Sequence, residues 1–81
     1  MKAKIYITLK DGVLDPQGQA SLNALKHLNF NKAESVRQGK FIELTLAEKD
    51  KDKAAKMVTE MCEQLLANTV IENYRFDLIP A

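Results

Sequence analysis

Apolar and polar residues alternate with a period of two in three parts of the chain, and this alternation predicts β-strands. The first part is residues 3–9 and the last is residues 71–79. Between them, residues 32–46 are predicted to form two strands joined at Gln38–Gly39, because glycine readily adopts the positive φ of a two-residue hairpin turn. In this register Val36 opposes Phe41.

Two other stretches carry apolar residues at the three- and four-residue spacing of an amphipathic helix. The first predicted helix spans residues 16–28. Asp15 is its expected N-cap, because the carboxylate can accept hydrogen bonds from free N–H groups of the first turn. The second predicted helix begins near Asp50 or Asp52 and ends near residue 68. The apolar stripes comprise Leu22, Ala24, Leu25 and Leu28 in the first helix and Ala54, Met57, Val58, Met61, Cys62, Leu65 and Leu66 in the second.

The resulting order, βαββαβ, predicts an α+β fold of the ferredoxin-like kind in one domain spanning residues 1–81. Its sheet would have four antiparallel strands, with both helices on one face and the other face open. The pattern places Tyr6, Val36 and Phe41 on the open face as an apolar strip. Contiguous apolar surface on a small domain usually marks an interface, so these residues are candidates for self-association through the open face or the sheet edges.

Composition and charge narrow the functional classes. The 81 residues include 12 Lys or Arg and 11 Asp or Glu, and the net charge of +1 provides no strong field for nucleic acid. No apolar run approaches the roughly 20 residues of a membrane-spanning helix. The first residues lead directly into a strand rather than into a signal peptide. A cytoplasmic protein without nucleic-acid or membrane partners is therefore expected.

Residue types that commonly carry catalysis are sparse. His27 is the single histidine and falls on the predicted solvent side of the first helix. Cys62 is the single cysteine and lies in the apolar stripe of the second helix, where a buried, unreactive thiol is expected. No catalytic residues and no metal site are predicted. Arg37 and Lys40 flank the predicted hairpin turn and would project together, either towards an acidic partner or phosphate or simply into solvent.

The aromatic residues of the open face leave one alternative function. RNA-recognition domains share the βαββαβ order and stack bases on aromatic residues of the first and third strands, the predicted places of Tyr6 and Phe41. However, residues 37–41 lack the aromatic spacing of the RNP motif, and the charge balance offers little electrostatic affinity for RNA. A stand-alone ligand- or RNA-binding βαββαβ module remains the alternative.

Three segments resemble the PurS family, the small subunit of phosphoribosylformylglycinamidine synthase, in their order and spacing. They are GVLDPQG at residues 12–18, VRQGK at residues 36–40 and LLANTVIENY at residues 65–74. The resemblance covers essentially the whole chain. Thr69 departs from the proline that usually follows the asparagine. Asn29 stands where a glycine is common, although asparagine also favours the left-handed conformation that ends a helix.

The resemblance implies a function in de novo purine biosynthesis. The enzyme is a glutamine-dependent ligase that converts formylglycinamide ribonucleotide to formylglycinamidine ribonucleotide. A large synthetase subunit uses ATP and Mg²⁺, and a glutaminase subunit releases ammonia from glutamine. The small subunit is expected to bind no cofactor itself and to act as a dimeric or tetrameric adaptor between the two. Candidates for contacts with these partners are Gly12, Asp15, Pro16, Gly18, Arg37 and Lys40.

Overall fold

The computed structural model describes residues 1–80, which contain three strands and two α-helices. The strands are β1 (Lys2–Leu9), β2 (Gly39–Thr45) and β3 (Glu72–Ile79), and the helices are α1 (Pro16–His27) and α2 (Lys51–Met61). A π-helical turn, Cys62–Leu66, continues α2. The sequence pattern therefore predicts both helices and the first and last strands correctly, with bounds that differ by one or two residues when the π-helical turn is counted with α2.

The strand β1 lies at the centre of an antiparallel sheet with the order β2-β1-β3. Tyr6 of β1 stands opposite Phe41 of β2 and Arg75 of β3. The fold is α+β, as predicted. The four-stranded sheet is not confirmed, because the sheet formed by residues 1–80 has three strands.

The predicted hairpin around Gln38–Gly39 is wrong. Gly39 is the first residue of β2, and residues 31–38 form no strand. The backbone N–H of Gln38 donates a hydrogen bond to the Asp15 carboxylate, and the carbonyl of Val36 packs against α1. Backbone groups that a fourth strand needs for pairing therefore face the start of α1. Alternation of side chains along the sequence does not reveal this competition.

The hydrophobic core lies between α2 and the inner face of the sheet. Its most deeply buried side chains are Ala3, Ile5 and Ile7 of β1 together with Ala54, Val58 and Cys62 of the second helical segment. The period of two along β1 and the four-residue spacing along α2 bring these two rows into contact. Apolar residues of β2 and β3 at the flanks of this core are only partly buried.

Residues 16–38, called the arm below, do not pack over the sheet. The helix α1 leads away, and residues 28–38 return along it. The N–H of Phe30 donates to the carbonyl of Leu25, and the Ser21 hydroxyl donates to the side chain of Gln38. No arm residue belongs to the hydrophobic core. The prediction that both helices cover one sheet face is therefore correct for α2 and wrong for α1.

The dimensions of the molecule agree with this arrangement. Strands of eight residues are about 27 Å long, and a helix of twelve residues is about 18 Å long. Placed end to end, they account for most of the 48 Å longest dimension. The radius of gyration is 16.0 Å, whereas a compact domain of this length has about 12 Å. The molecule is elongated because one helix has no packing partner on the sheet.

Candidate functional site

Asp15 lies where the arm joins the sheet. Its Oδ1 accepts a hydrogen bond from the N–H of Gly18 at 2.9 Å, which is the predicted N-cap bond. Its Oδ2 accepts a second bond, from the N–H of Gln38 at 3.0 Å. These two backbone bonds, in that order, lower the pKa of Asp15 below its usual value, and the nearby Arg37 cation acts in the same direction. The carboxylate thus joins the beginning of the arm to its end.

Arg37 ties the end of the arm to the end of β1. Its Nη1 lies 2.7 Å from Oδ1 of Asp11. Its Nη2 donates to the carbonyl of Leu9 and, at 3.3 Å, to the carbonyl of Lys10. The planar guanidinium presents several donors in a fixed fork, so one side chain can reach three acceptors. The sequence predicts that Arg37 projects outward, but the structure pairs it within the chain.

Two glycines are required by the backbone at this place. A Cβ on Gly18 would clash with the carbonyl oxygen of Val36 and lie 2.5 Å from Oδ2 of Asp15. Gly12 has a φ of +84°, in the left-handed region that favours glycine. Pro16 is the first residue of α1, where its missing N–H is not needed. The group formed by Asp11, Asp15, Gly18, Arg37 and Gln38 is called the junction below.

Lys40 lies at the same end of the sheet but turns towards a different partner. Its Nζ is 3.5 Å from Oε2 of Glu72, whose other carboxylate oxygen accepts the N–H of Asn68 at 2.7 Å. The prediction that Arg37 and Lys40 project together is therefore wrong. Lys40 does line one cavity of about 200 Å³ with Asp15 and other residues of this region. The structure thus gathers the six predicted partner-contact residues near the end of β1.

The open face of the sheet contains two of the three predicted apolar residues. The rings of Tyr6 and Phe41 are neighbours, with centroids 5.2 Å apart and planes tilted by 45°. Val36 is absent from this face because it belongs to the arm. The Arg75 guanidinium carbon lies 4.0 Å from the Tyr6 ring centroid and covers one side of that ring. Arg75 thus occupies one face of the ring on which the RNA-binding alternative would stack a base.

The rest of the open face is mostly polar. Lys2 and Glu43 form an ion pair of 3.8 Å, and Arg75 and Asp77 form one of 3.7 Å. The charged side chains are distributed over all three strands. Exposed pairs of this kind contribute little stability individually. The open face is therefore a mixed surface with a small aromatic centre rather than a continuous apolar strip.

The sequence pattern missed the apolar surface of the arm. Leu14, next to the arm, is 78% exposed, and within the arm Leu28 and Phe30 are 65% and 59% exposed. The hydrophobic period correctly identifies an apolar side of α1, but it assigns that side to the protein's own sheet. Leu65 and Val70, near the turn before β3, are also largely exposed. Several large apolar side chains thus remain available to other molecules.

The two side chains that could in principle act as a base or a nucleophile lie apart. His27 is exposed at the end of α1. Cys62 is buried, and desolvation raises the pKa of its thiol, which disfavours the reactive thiolate. Within residues 1–80, no three His, Cys, Asp or Glu side chains are grouped as a metal site. None of the helices in this part of the chain has both the length and the apolarity to cross a membrane.

Comparison with known proteins gives a consistent result. The family model PurS, described as phosphoribosylformylglycinamidine (FGAM) synthase, matches residues 2–80. The phosphoribosylformylglycinamidine synthase subunit PurS of Bacillus subtilis is 51% identical over 77 residues, which are 95% of this chain and 90% of that protein.

Solved structures agree with the sequence comparison. Methanocaldococcus jannaschii PurS, one of the subunits of formylglycinamide ribonucleotide amidotransferase, is 39% identical and superposes with a TM-score of 0.89, covering 99% of this chain and 96% of that one. A chain in the structure of PurLQS from Thermotoga maritima is 31% identical and superposes with a TM-score of 0.88, covering 96% and 95%. Since the family model spans nearly every residue and the identity to full-length relatives is high, the chain belongs to the PurS family of FGAM synthase.

Proposed function

We propose that this chain is the PurS subunit of phosphoribosylformylglycinamidine synthase and acts as a non-catalytic adaptor in de novo purine biosynthesis. The observation that carries this proposal is the 51% identity to the B. subtilis PurS subunit over 95% of the chain. The similarity to a chain of the T. maritima PurLQS assembly supports a role within a complex. The adaptor brings a glutaminase subunit and an ATP-dependent synthetase subunit together, in the cytoplasm, for ammonia transfer.

The chemistry explains why such an enzyme needs an adaptor. Free ammonia diffuses away quickly, and in neutral water it is largely protonated and therefore not nucleophilic. Holding the two active sites against each other raises the effective concentration of the intermediate at the second site. In this proposal ATP, Mg²⁺ and glutamine are used by the partner subunits, and the small subunit contributes surface rather than reacting groups.

The shape and surface of the chain support contacts with larger subunits. A 48 Å molecule with a radius of gyration of 16.0 Å exposes more surface than a compact domain of the same length. The region near the end of β1 combines the cavity beside Lys40 with the turn at Gly12 and remains the proposed contact region. Because Asp15 and Arg37 already have partners in the chain, they would act there through the shape that they maintain.

Self-association is the second part of the proposal. The aromatic pair Tyr6 and Phe41 lies at the centre of the open face, and Leu28 and Phe30 are exposed apolar side chains on the arm. Both β2 and β3 are edge strands of the sheet, and unpaired edges can add strands from another copy. A homodimer or tetramer that covers these surfaces would supply the burial that the single chain lacks.

Reconstitution tests the adaptor function. The glutaminase and synthetase subunits of the same organism are combined with and without this chain, and product formation is measured with glutamine and, separately, with ammonium salt. We expect glutamine-dependent activity to require the chain, because ammonia must be transferred between subunits. Ammonium-dependent activity of the synthetase should persist without it. Equal glutamine-dependent activity in the absence of the chain would contradict the adaptor function.

A further inference from the structure

Both ends of the arm are fixed at one place, the junction. One oxygen of the Asp15 carboxylate binds the N–H of Gly18 at the start of α1, and the other binds the N–H of Gln38 at the end of the arm. Arg37 then joins the end of the arm to Asp11 and to two carbonyls at the end of β1. The arm therefore leaves the sheet through two anchored segments rather than through a single flexible hinge.

Few other contacts determine the direction of the arm. None of its residues belongs to the hydrophobic core between α2 and the sheet. Its internal hydrogen bonds, such as that from the N–H of Phe30 to the carbonyl of Leu25, hold the arm together but do not reach the sheet. The hydrogen bonds of the junction are consequently the polar contacts that orient the arm relative to the sheet.

The same direction recurs in one relative of moderate identity. The M. jannaschii protein is only 39% identical, yet it superposes with a TM-score of 0.89 over 99% of this chain. The arm, residues 16–38, is more than a quarter of the chain. A score this high therefore requires the arm to point the same way in both proteins. A fixed junction accounts for this recurrence, and the experiments below separate it from an arm that is held by a partner.

We infer that Asp15 and Arg37 are positioning residues, which set the direction in which α1 leaves the sheet and keep its apolar side chains away from the chain's own sheet. The direction itself follows from hydrogen bonds within one chain. Only the use of the arm rests on the self-association proposed above. A partner that meets an arm already held in place does not bear the entropy cost of ordering it, so binding is tighter.

Substitution by asparagine separates this role from ordinary helix capping. Asparagine is as good an N-cap as aspartate, but its amide has one acceptor oxygen. The two N–H groups bind different oxygens of Asp15, so Asp15→Asn in the same side-chain orientation keeps the bond to Gly18 but turns an NH2 group towards the N–H of Gln38. Asp50, the N-cap of α2, accepts both of its backbone hydrogen bonds with Oδ1 alone. Asp50→Asn can keep both bonds and serves as the matched control.

Spin labels on the full chain report the direction of the arm. One label is attached through Asn23→Cys on α1 and the other through Thr45→Cys on β2, since both positions are exposed. The background carries Cys62→Ala, which removes the native thiol. Labelled chains are diluted into an excess of unlabelled chain, so that the measured distance is the one within a single chain.

We expect one narrow distance distribution for the parent and for Asp50→Asn. Asp15→Asn and Arg37→Ala should lose this narrow peak while circular dichroism shows the parent helix content. Arg37→Lys keeps the charge but lacks the planar fork, and it should lose the peak as well. A parent-like distribution in all three junction variants would overturn the inference.

Sedimentation measures the consequence for association. We expect the dimer dissociation constant to rise about tenfold in Asp15→Asn, a factor that corresponds to one lost hydrogen bond, and to stay unchanged in Asp50→Asn. Equal association in the two variants would overturn the link between arm direction and binding. A parent chain that is monomeric at every concentration would remove self-association from the proposed function, while the distance measurement would still decide the positioning role.

Discussion

At the scale of single residues, the sequence predicts local conformation well and longer contacts poorly. Asp15 is predicted as an N-cap and Asn29 as a left-handed residue, and both are confirmed. Each of these preferences depends on the residue and its immediate neighbours. The second hydrogen bond of Asp15, to Gln38, joins positions that lie 23 residues apart. No local preference encodes such a contact, so the sequence pattern does not predict the junction.

Gly18 provides a test of the close approach inside the arm. Alanine normally favours a helix over glycine by about 1 kcal/mol, but a Cβ at this position would clash with the carbonyl of Val36. We therefore expect Gly18→Ala to lower the free energy of unfolding by about 1–3 kcal/mol in urea titration, the usual cost of overpacking. The exposed neighbour Gln19→Ala should change it by less than about 0.5 kcal/mol. A more stable Gly18→Ala protein would show that the helix preference dominates.

Phe41 provides a test of the open face. The side chain is 54% exposed in the single chain, so a change there can alter association without removing core packing. We expect Phe41→Asp to raise the dimer dissociation constant by about tenfold or more, because a charge would be transferred out of water without a partner. Phe41→Leu keeps an apolar side chain and should associate nearly as the parent does. Sedimentation equilibrium distinguishes the two variants, and an unchanged oligomer in Phe41→Asp would exclude this face.

At the scale of elements, α1 and α2 show the limit of pattern-based prediction. Both helices carry an apolar side at helical spacing. The bounds of α1, and those of α2 together with its π-helical turn, lie within two residues of the prediction. Only α2 covers the sheet, where Val58 is fully buried, whereas Leu28 near the end of α1 remains exposed. A periodic pattern shows that a helix has an apolar side but does not identify the surface that covers it. The same limit applies to the sheet, because residues 32–37, which the sequence pattern assigns to a strand, form none.

This difference between the helices predicts different effects of similar truncations. Val58→Ala should lower the free energy of unfolding by about 2–3 kcal/mol, because it removes buried methyl groups and leaves a cavity. Leu28→Ala should change the stability of the dissociated chain by less than about 0.5 kcal/mol but should weaken self-association. Chemical denaturation at several protein concentrations separates these effects. A large loss of stability for Leu28→Ala in the dissociated chain would mean that α1 packs on its own sheet.

At the scale of the whole molecule, the elongated shape links the fold to the proposed function. A self-contained domain of 81 residues already buries a limited fraction of its surface, and this chain leaves one helix outside its core. The family resemblance predicts the adaptor function, and the strand pattern predicts the open face of the sheet. The position of the arm could not be predicted, because it depends on the hydrogen bonds of the junction, which join residues far apart in the sequence. The helix outside the core and the open face of the sheet limit the burial within the single chain. The same two features provide surfaces for binding other subunits.

Small-angle X-ray scattering tests this shape directly. If the junction holds the arm away from the sheet, a dissociated chain at low concentration should keep a radius of gyration of at least 16.0 Å. If the exposed apolar residues instead draw α1 over the sheet, the value should fall towards about 12 Å, that of a compact domain of this length. The Phe41→Asp variant allows the measurement without dimers, since its substitution lies outside the arm and the junction. A compact monomer would show that the partner, rather than the chain itself, determines where the arm points.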